Sequence, residues 1–495
     1  MNKEEEVVRI QESEERSDKW RVTSDEPKKA QRLVVSLMLL LFWWGLGASA
    51  FAQQDTPKAN YPRRERALAV ATRSFAQEAA PTQAVGAVRR LTLREAVDLA
   101  LRNNRNILRA QATVARVEGE HQEARSIFRP QVLLGSGLAA TYGFPLSIEG
   151  SAPSIFQVGA SQALFNRNLR NLERQAGQMR LAADESLEDQ RDTTVAETVL
   201  TYLDLDRSRR SLEYLRNQTA SLGAAAQITE ERVAAGLEPP LESTRARLGT
   251  ARSQSQQAAL ENQIALLEYR LRDLVGIPQT EAIETVPAEI PMLSNEETME
   301  QVAARALANN PGLQAMDEEV RAKEFQVKSE QASRWPRVNL VGQYGLFSKF
   351  NNYEDYFQRF QRHNATLGVS IVVPVYERER VNARLSKAEA ELAETRYRRD
   401  DARAAILLRV REMWAAAQQQ SSAREVSRLE LELARRSLDA VLAQYEEGKV
   451  NRLMVEQARA EENRAWIGLF EADYQTERAR LELLRITGEI RTALR

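Results

Sequence analysis

The feature that most constrains this chain is a stretch that occurs in it twice. Leu101-Arg-Asn-Asn104 is followed, 26 residues past its second asparagine, by Pro130, and Leu307-Ala-Asn-Asn310 is followed at the same distance by Pro336. The two copies are offset by 206 residues, and later landmarks keep the relation: Phe165 answers Tyr376 at 211, Gly236 answers Gly448 at 212, and Gly276 answers Gly488 at 212. Matching landmarks in one order imply a tandem duplication of one unit of roughly 200 residues. The repeats are read over residues 91–290 and 291–495, each as helix, β-hairpin and long helical hairpin.

A segment precedes the repeats. An apolar run from Leu33 to Ala48 follows Lys28, Lys29 and Arg32 and leads into Ala50-Phe-Ala52. The pattern reads as a leader and signal peptide over residues 1–52, cleaved before Gln53. An uncleaved anchor is the alternative, although 16 residues are short for a span that needs about 20. Residues 53–90, with Pro57, Pro62 and Pro81, read as a linker.

Within each unit a threonine opens the first helix. Thr92-Leu-Arg-Glu95 has the pattern of a capping box, in which the glutamate reaches back to the cap, and Thr298-Met-Glu-Gln301 repeats it. The helix is expected to run to the proline, where the hydrophobic period changes to two. Val338, Leu340, Gly342, Tyr344 and Leu346 then share one face, as do Ala365, Leu367, Val369, Ile371, Val373 and Val375 of the following stretch. Val132 to Tyr142 and Phe156 to Phe165 repeat the arrangement in the first unit. About ten tilted residues cross a bilayer, although two soluble hairpins fit the alternation equally well.

From Arg167 to Ala235 and from Glu377 to Glu447, apolar residues recur at coiled-coil spacing, beginning with Leu169, Leu172, Ala176, Met179 and Ala183. Each tract of about 70 residues would extend roughly 100 Å as a helix. Each reverses at a glycine, Gly236 or Gly448, and a second helix returns to Gly276 or Gly488. A soluble coiled coil has no need of two such hairpins as well. Four strands leave open edges that lipid cannot satisfy, and they are too few for a membrane barrel, whose smallest examples have about eight. Strands in a membrane would therefore require several chains to share one barrel.

Chemistry is hard to find in this sequence. There are no cysteines, which excludes disulfides and thiolate chemistry, and the two histidines, His121 in a helix and His363 in a loop, read as surface groups. No phosphate loop, Gly-x-Ser-x-Gly motif or metal-spaced cluster occurs, so neither a catalytic residue nor a cofactor is expected. A net charge of −1, from 69 basic and 70 acidic residues, gives no reason to expect a nucleic acid. Phe347, Phe350, Tyr353, Tyr356, Phe357 and Phe360 read as an interfacial aromatic cluster around an external loop.

Taken together, Leu93 to Asn104, Arg305 to Leu313, Phe165 and Tyr376 at the hairpin ends, and the paired glycine reversals resemble the TolC-type outer-membrane efflux proteins over roughly residues 91–490. The resemblance implies a mainly α fold with transmembrane β-strands. A long coiled-coil helical barrel would continue into an outer-membrane β-barrel shared between three chains, four strands from each. It also implies a homotrimer that extends into the periplasm, docks on a periplasmic adaptor and serves as exit duct for an inner-membrane pump in efflux or type I secretion. A membrane-anchored adaptor or structural coiled-coil protein is the alternative. Gly236 and Gly448, with Leu237 and Val450, become candidates for adaptor docking, and Glu242, Arg452, Met454 and Glu456 for the periplasmic entrance. Some family positions differ. The strand-to-helix corners carry Asn166-Arg167 and Glu377-Arg378 in place of a glycine pair, and Met454, Gln457 and Val450 stand where the family has its ionic lock. Glu456 and Arg452, near the same turn, are the candidates to replace it.

Overall fold

The computed structural model describes residues 89–137, 154–287, 298–347 and 363–494. The signal-peptide reading, nearly all of the linker and the aromatic stretch beyond Phe347 lie outside the described residues.

The elements run β1 (Arg89–Leu91), α1 (Leu93–Asn103), α2 (Arg105–Ser126), β2 (Gln131–Gly137), β3 (Ser154–Phe165), α3 (Arg167–Ala234), α4 (Pro240–Val275) and β4 (Ile283–Thr285). They continue with α5 (Met299–Asn309), α6 (Pro311–Ala332), β5 (Arg337–Phe347), β6 (His363–Val372), α7 (Arg378–Glu446), α8 (Arg452–Ile486) and α9 (Ile490–Ala493). β1 takes in Arg89 and Arg90, the last residues of the stretch read as linker, and pairs in parallel with β4.

Several local expectations are corrected. The helix before each proline is two helices, because Asn104 and Asn310 adopt extended backbone and cap the second helix of each pair. Gln301 completes its capping box, but Glu95 does not. Its carboxylate instead receives a hydrogen bond from Arg89 at 2.9 Å, while Thr92 caps alone. His363 begins β6 rather than lying in a loop, and that strand stops at Val372, before Pro374, which has no N–H to donate to a ladder.

β2, β3, β5 and β6 form one antiparallel sheet in that order. The helices follow the strands in the same lateral order. Near the sheet α3 packs between α2 and α6, and α7 lies beyond α6; toward the reversals α3 packs between α4 and α8, and α7 lies beyond α8. Each chain is thus four elements wide at the sheet, just below it and toward the reversals, with α1, α5, α9, β1 and β4 added midway. The deepest packing is midway along α3. There Tyr202 and Leu205 pack with Leu91, Leu271 and Ile283, and Val195 and Val199 pack with Val97, Leu481 and Ile490.

Candidate functional site

The two reversals and the two ends of the return helices share one glycine conformation. Gly236, Gly276, Gly448 and Gly488 all have φ of 70–71°, a left-handed conformation that glycine adopts without Cβ strain. At the first, Leu237 N donates to Arg232 O at 2.8 Å and Gly236 N to Val233 O at 3.0 Å. At the second, Lys449 N donates to Gln444 O at 2.8 Å and Gly448 N to Tyr445 O at 2.9 Å. These are Schellman ends, which satisfy the last carbonyls and turn the chain. Pro240 or the Asn451 cap then starts the return helix. Leu237, an apolar side chain, is 66% exposed at the tip.

The entrance candidates separate. Glu242 pairs with Arg245 on its own helix, at 2.5 Å. Glu456 is buried and sits between Arg452 at 3.8 Å and Arg459 at 3.5 Å, again on its own helix. Met454 is exposed and Val450 partly so. Arg452 and Glu456 therefore meet, as one turn of α8 rather than as a bridge between helices.

The asparagine landmarks act midway along the molecule. Asn104 Nδ2 donates to Leu274 O at 3.2 Å, and Asn310 Nδ2 donates to Ile486 O at 3.1 Å. Each therefore fastens its helix junction to the end of the return helix in its own repeat, just before Gly276 or Gly488. Nearby, the Tyr202 hydroxyl lies 2.7 Å from Leu91 O and 2.6 Å from Val286 O and accepts from Val286 N at 2.8 Å, which locks β1 and β4 to α3. Burial pushes that hydroxyl up to about 12.

The register divides the sheet into two unlike faces. Residues directly opposite on antiparallel strands point to the same side. Val132, Val158, Leu340 and Val369 lie on one side with Leu367 and Ile371, and Phe156, Tyr344 and His363 cluster at its far end. The Tyr344 hydroxyl and His363 Nδ1 are 2.8 Å apart. The other side carries Gln131, Ser161, Asn339, Gln343, Thr366 and Ser370, interrupted by Leu133, Val341 and Val372. Where this polar side meets the helices, Gln131, Ser161, Asn166, Leu169, Arg337 and Asn339 help line a hollow of about 350 Å³. One apolar and one polar face is the pattern of a wall between lipid and water. The period-two alternation pointed to this wall. The hollow with Arg337 had no sequence signal, because it depends on which face the chain enters after the proline.

His121 packs against Gly177 of α3. Among the described residues no group of acidic side chains and histidines is placed to hold a metal, and no helix is long and apolar enough to cross a membrane.

Comparison with known proteins gives a consistent result. The family model described as outer membrane efflux protein matches residues 96–277 and 302–489, one match in each repeat. The chain is 26% identical to the outer membrane protein OprJ of Pseudomonas aeruginosa, over 80% of this chain and 84% of that one. It is 21% identical to the outer membrane efflux protein BepC of Brucella suis, over 81% and 86%. Its fold is that of the outer membrane protein VceC of Vibrio cholerae, with a TM-score of 0.65 over 80% of this chain and 96% of that one at 18% identity.

Proposed function

This chain belongs to the outer membrane efflux protein family, and we propose that three copies close into one passive exit duct fed by an inner-membrane pump through a periplasmic adaptor. The observation that carries the reading is the four-stranded sheet with one apolar and one polar face, whose outer strands β2 and β6 each pair on one side only among the described residues. A layer with two different edges that curves on itself closes by joining one edge to the other, which gives a cyclic ring. Three copies would supply twelve strands and, near the sheet and near the tips, twelve helices. No catalytic step belongs to this reading; the energy comes from the pump.

The mass of the complex extracted from membranes, corrected for bound detergent, tests the assembly. Three times the mass of the processed chain is expected, and a monomer would overturn the ring. In the same reading Gly236 and Gly448, with Leu237 and Val450, form the adaptor-facing tips, and Glu242, Arg452, Met454 and Glu456 line the entrance. Replacing both tip glycines with alanine should reduce transport with a cognate pump while the assembled mass persists. Full transport in that variant would remove the tips from the docking site.

A further inference from the structure

We propose that a collar of stacked arginines where α3 leaves the sheet binds the phosphate headgroups of anionic phospholipids in the periplasm-facing leaflet. The proposal rests on the membrane reading of the sheet. α3 begins at Arg167, two residues after β3 ends, so its first turns lie at the edge of the apolar face. Leu169 lines the hollow on the polar side, and Arg167, Arg170 and Arg174, spaced by three and four, share a face turned about 100–160° away from it. Those three therefore point away from the lumen.

Each guanidinium covers an aromatic ring: Arg167 on Trp335 at 4.3 Å, Arg170 on Phe128 at 4.9 Å and Arg174 on Phe325 at 5.9 Å, with Lys328 also against Phe325 at 4.9 Å. Elsewhere the arginines of the long helices commonly pair with carboxylates one turn away, as Arg398 does with Glu394 and Arg436 with Glu432. These four cations form no ion pair among the described residues. The position of Arg167 and Arg170 also opposes the dipole of α3, since cations are disfavoured at a helix N-terminus, and its first turn has no acid to offset them. Helix stability therefore does not explain them.

The surplus of charge is local. The chain as a whole has 69 basic and 70 acidic residues, yet the segments at this level, 123–129, 167–174, 328–336 and 377–384, hold ten basic and five acidic. A stacked guanidinium keeps its N–H edge free for bidentate contact with phosphate, and an amphipathic ring such as Trp335 sits readily at headgroup depth. Other occupants fit less well. α3 is flanked on both sides by α2 and α6 of its own chain, so this face is not an edge between copies. The adaptor-facing tip lies about 90–100 Å away along the 68-residue helix.

The test is native mass spectrometry of the assembled channel with phosphatidylglycerol, phosphatidylcholine or inorganic phosphate added. Wild type should retain phosphatidylglycerol over phosphatidylcholine by about tenfold, and the triple variant R167Q/R170Q/R174Q should retain both about equally. Arg436→Gln, near the far end of α7, should change nothing. If the triple variant does not assemble, Arg170→Lys and Arg170→Gln replace it; both lose the fork, and the glutamine variant should lose more of the preference. Equal retention of the two lipids by wild type, an unchanged preference in the variants, or inorganic phosphate displacing phosphatidylglycerol at equal concentration would overturn the proposal. The same spectra report the number of chains, so failure of the ring reading would be seen separately.

Discussion

A β-carbon placed on Gly488 would sit 2.6 Å from the carbonyl oxygen of Asn309, a distance that no real contact allows. Gly276 stands in the same relation to Asn103, whose Cβ would be 2.6 Å away. Gly236 and Gly448 share the φ of these two but face open space. The four glycines therefore divide by level: the midway pair is held by conformation and by contact, the tip pair by conformation alone.

That division predicts unequal costs. Gly236→Ala should incur only the left-handed strain of an L-residue, about 1–2 kcal/mol. Gly488→Ala adds a backbone clash and should cost about 2–4 kcal/mol, because α5 has to move off the end of α8. Thermal unfolding of the two variants measures the difference directly. Equal melting temperatures would mean that the junction gives way more easily than its packing implies.

The C-terminal turn supplies a second case. Arg491 donates to Asp192 at 2.5 Å and also to Glu188, tying α9 to α3 beside the buried Ile490. Burial raises the Asp192 carboxyl above the usual range, and Arg491 pulls it back down. Arg491→Ala would leave a nearly buried carboxylate without its cation, at a cost of about 2–3 kcal/mol, less than the roughly 3–5 expected for full burial because the arginine is partly exposed. The sign with pH is fixed. The native state of the variant binds the Asp192 proton more tightly than the unfolded chain does, so the deficit is full near neutrality. It narrows as pH falls through the raised native value toward the ordinary value of about 3.9. Melting curves from pH 7 to 4 would show the gap to wild type closing; a gap that widened in acid would place the effect elsewhere.

How far the sequence foretold this follows from what each signal measures. Gly236 and Gly448 are single residues whose conformational demand is local, so they marked the ends of α3 and α7 to within two residues. Asn104 and Asn310 were visible as landmarks, but their work is a hydrogen bond to a carbonyl about 170 residues on, which no local pattern encodes. Glu95 fits a capping box and Gln301 makes one. Only Glu95 has an arginine on the preceding strand to take its carboxylate away. The stacking of the α3 arginines has no local signal either, because Trp335 and Phe128, which lie beneath Arg167 and Arg170, come from other parts of the chain.

The two faces of the sheet can be tested by one substitution on each. Val369, 57% exposed on the apolar side, should tolerate arginine poorly, at about 2–4 kcal/mol where the strand faces lipid. Thr366, on the polar side of the same strand, should accept arginine with little loss of assembly. The measurement is the yield of heat-resistant oligomer in the outer membrane. A reversed order would mean that lipid and lumen have been assigned to the wrong faces.

The last prediction concerns Arg337, which is exposed at the base of the polar face and lines the hollow between sheet and helices. In a ring of three chains it recurs three times around the conduit, with the polar side chains of Gln131, Ser161 and Asn339 beside it. Three fixed positive charges raise the local anion concentration, but screening limits their reach to about 10 Å at 0.1 M salt and about 30 Å at 0.01 M. The wild-type channel should therefore favour anions weakly at high salt and more strongly at low salt. Arg337→Glu should reverse the preference, and Arg337→Gln should fall between the two. Reversal potentials across a planar bilayer under a potassium chloride gradient report this directly. A selectivity that neither substitution moves at 0.01 M would mean that the hollow lies off the path of the permeating ions.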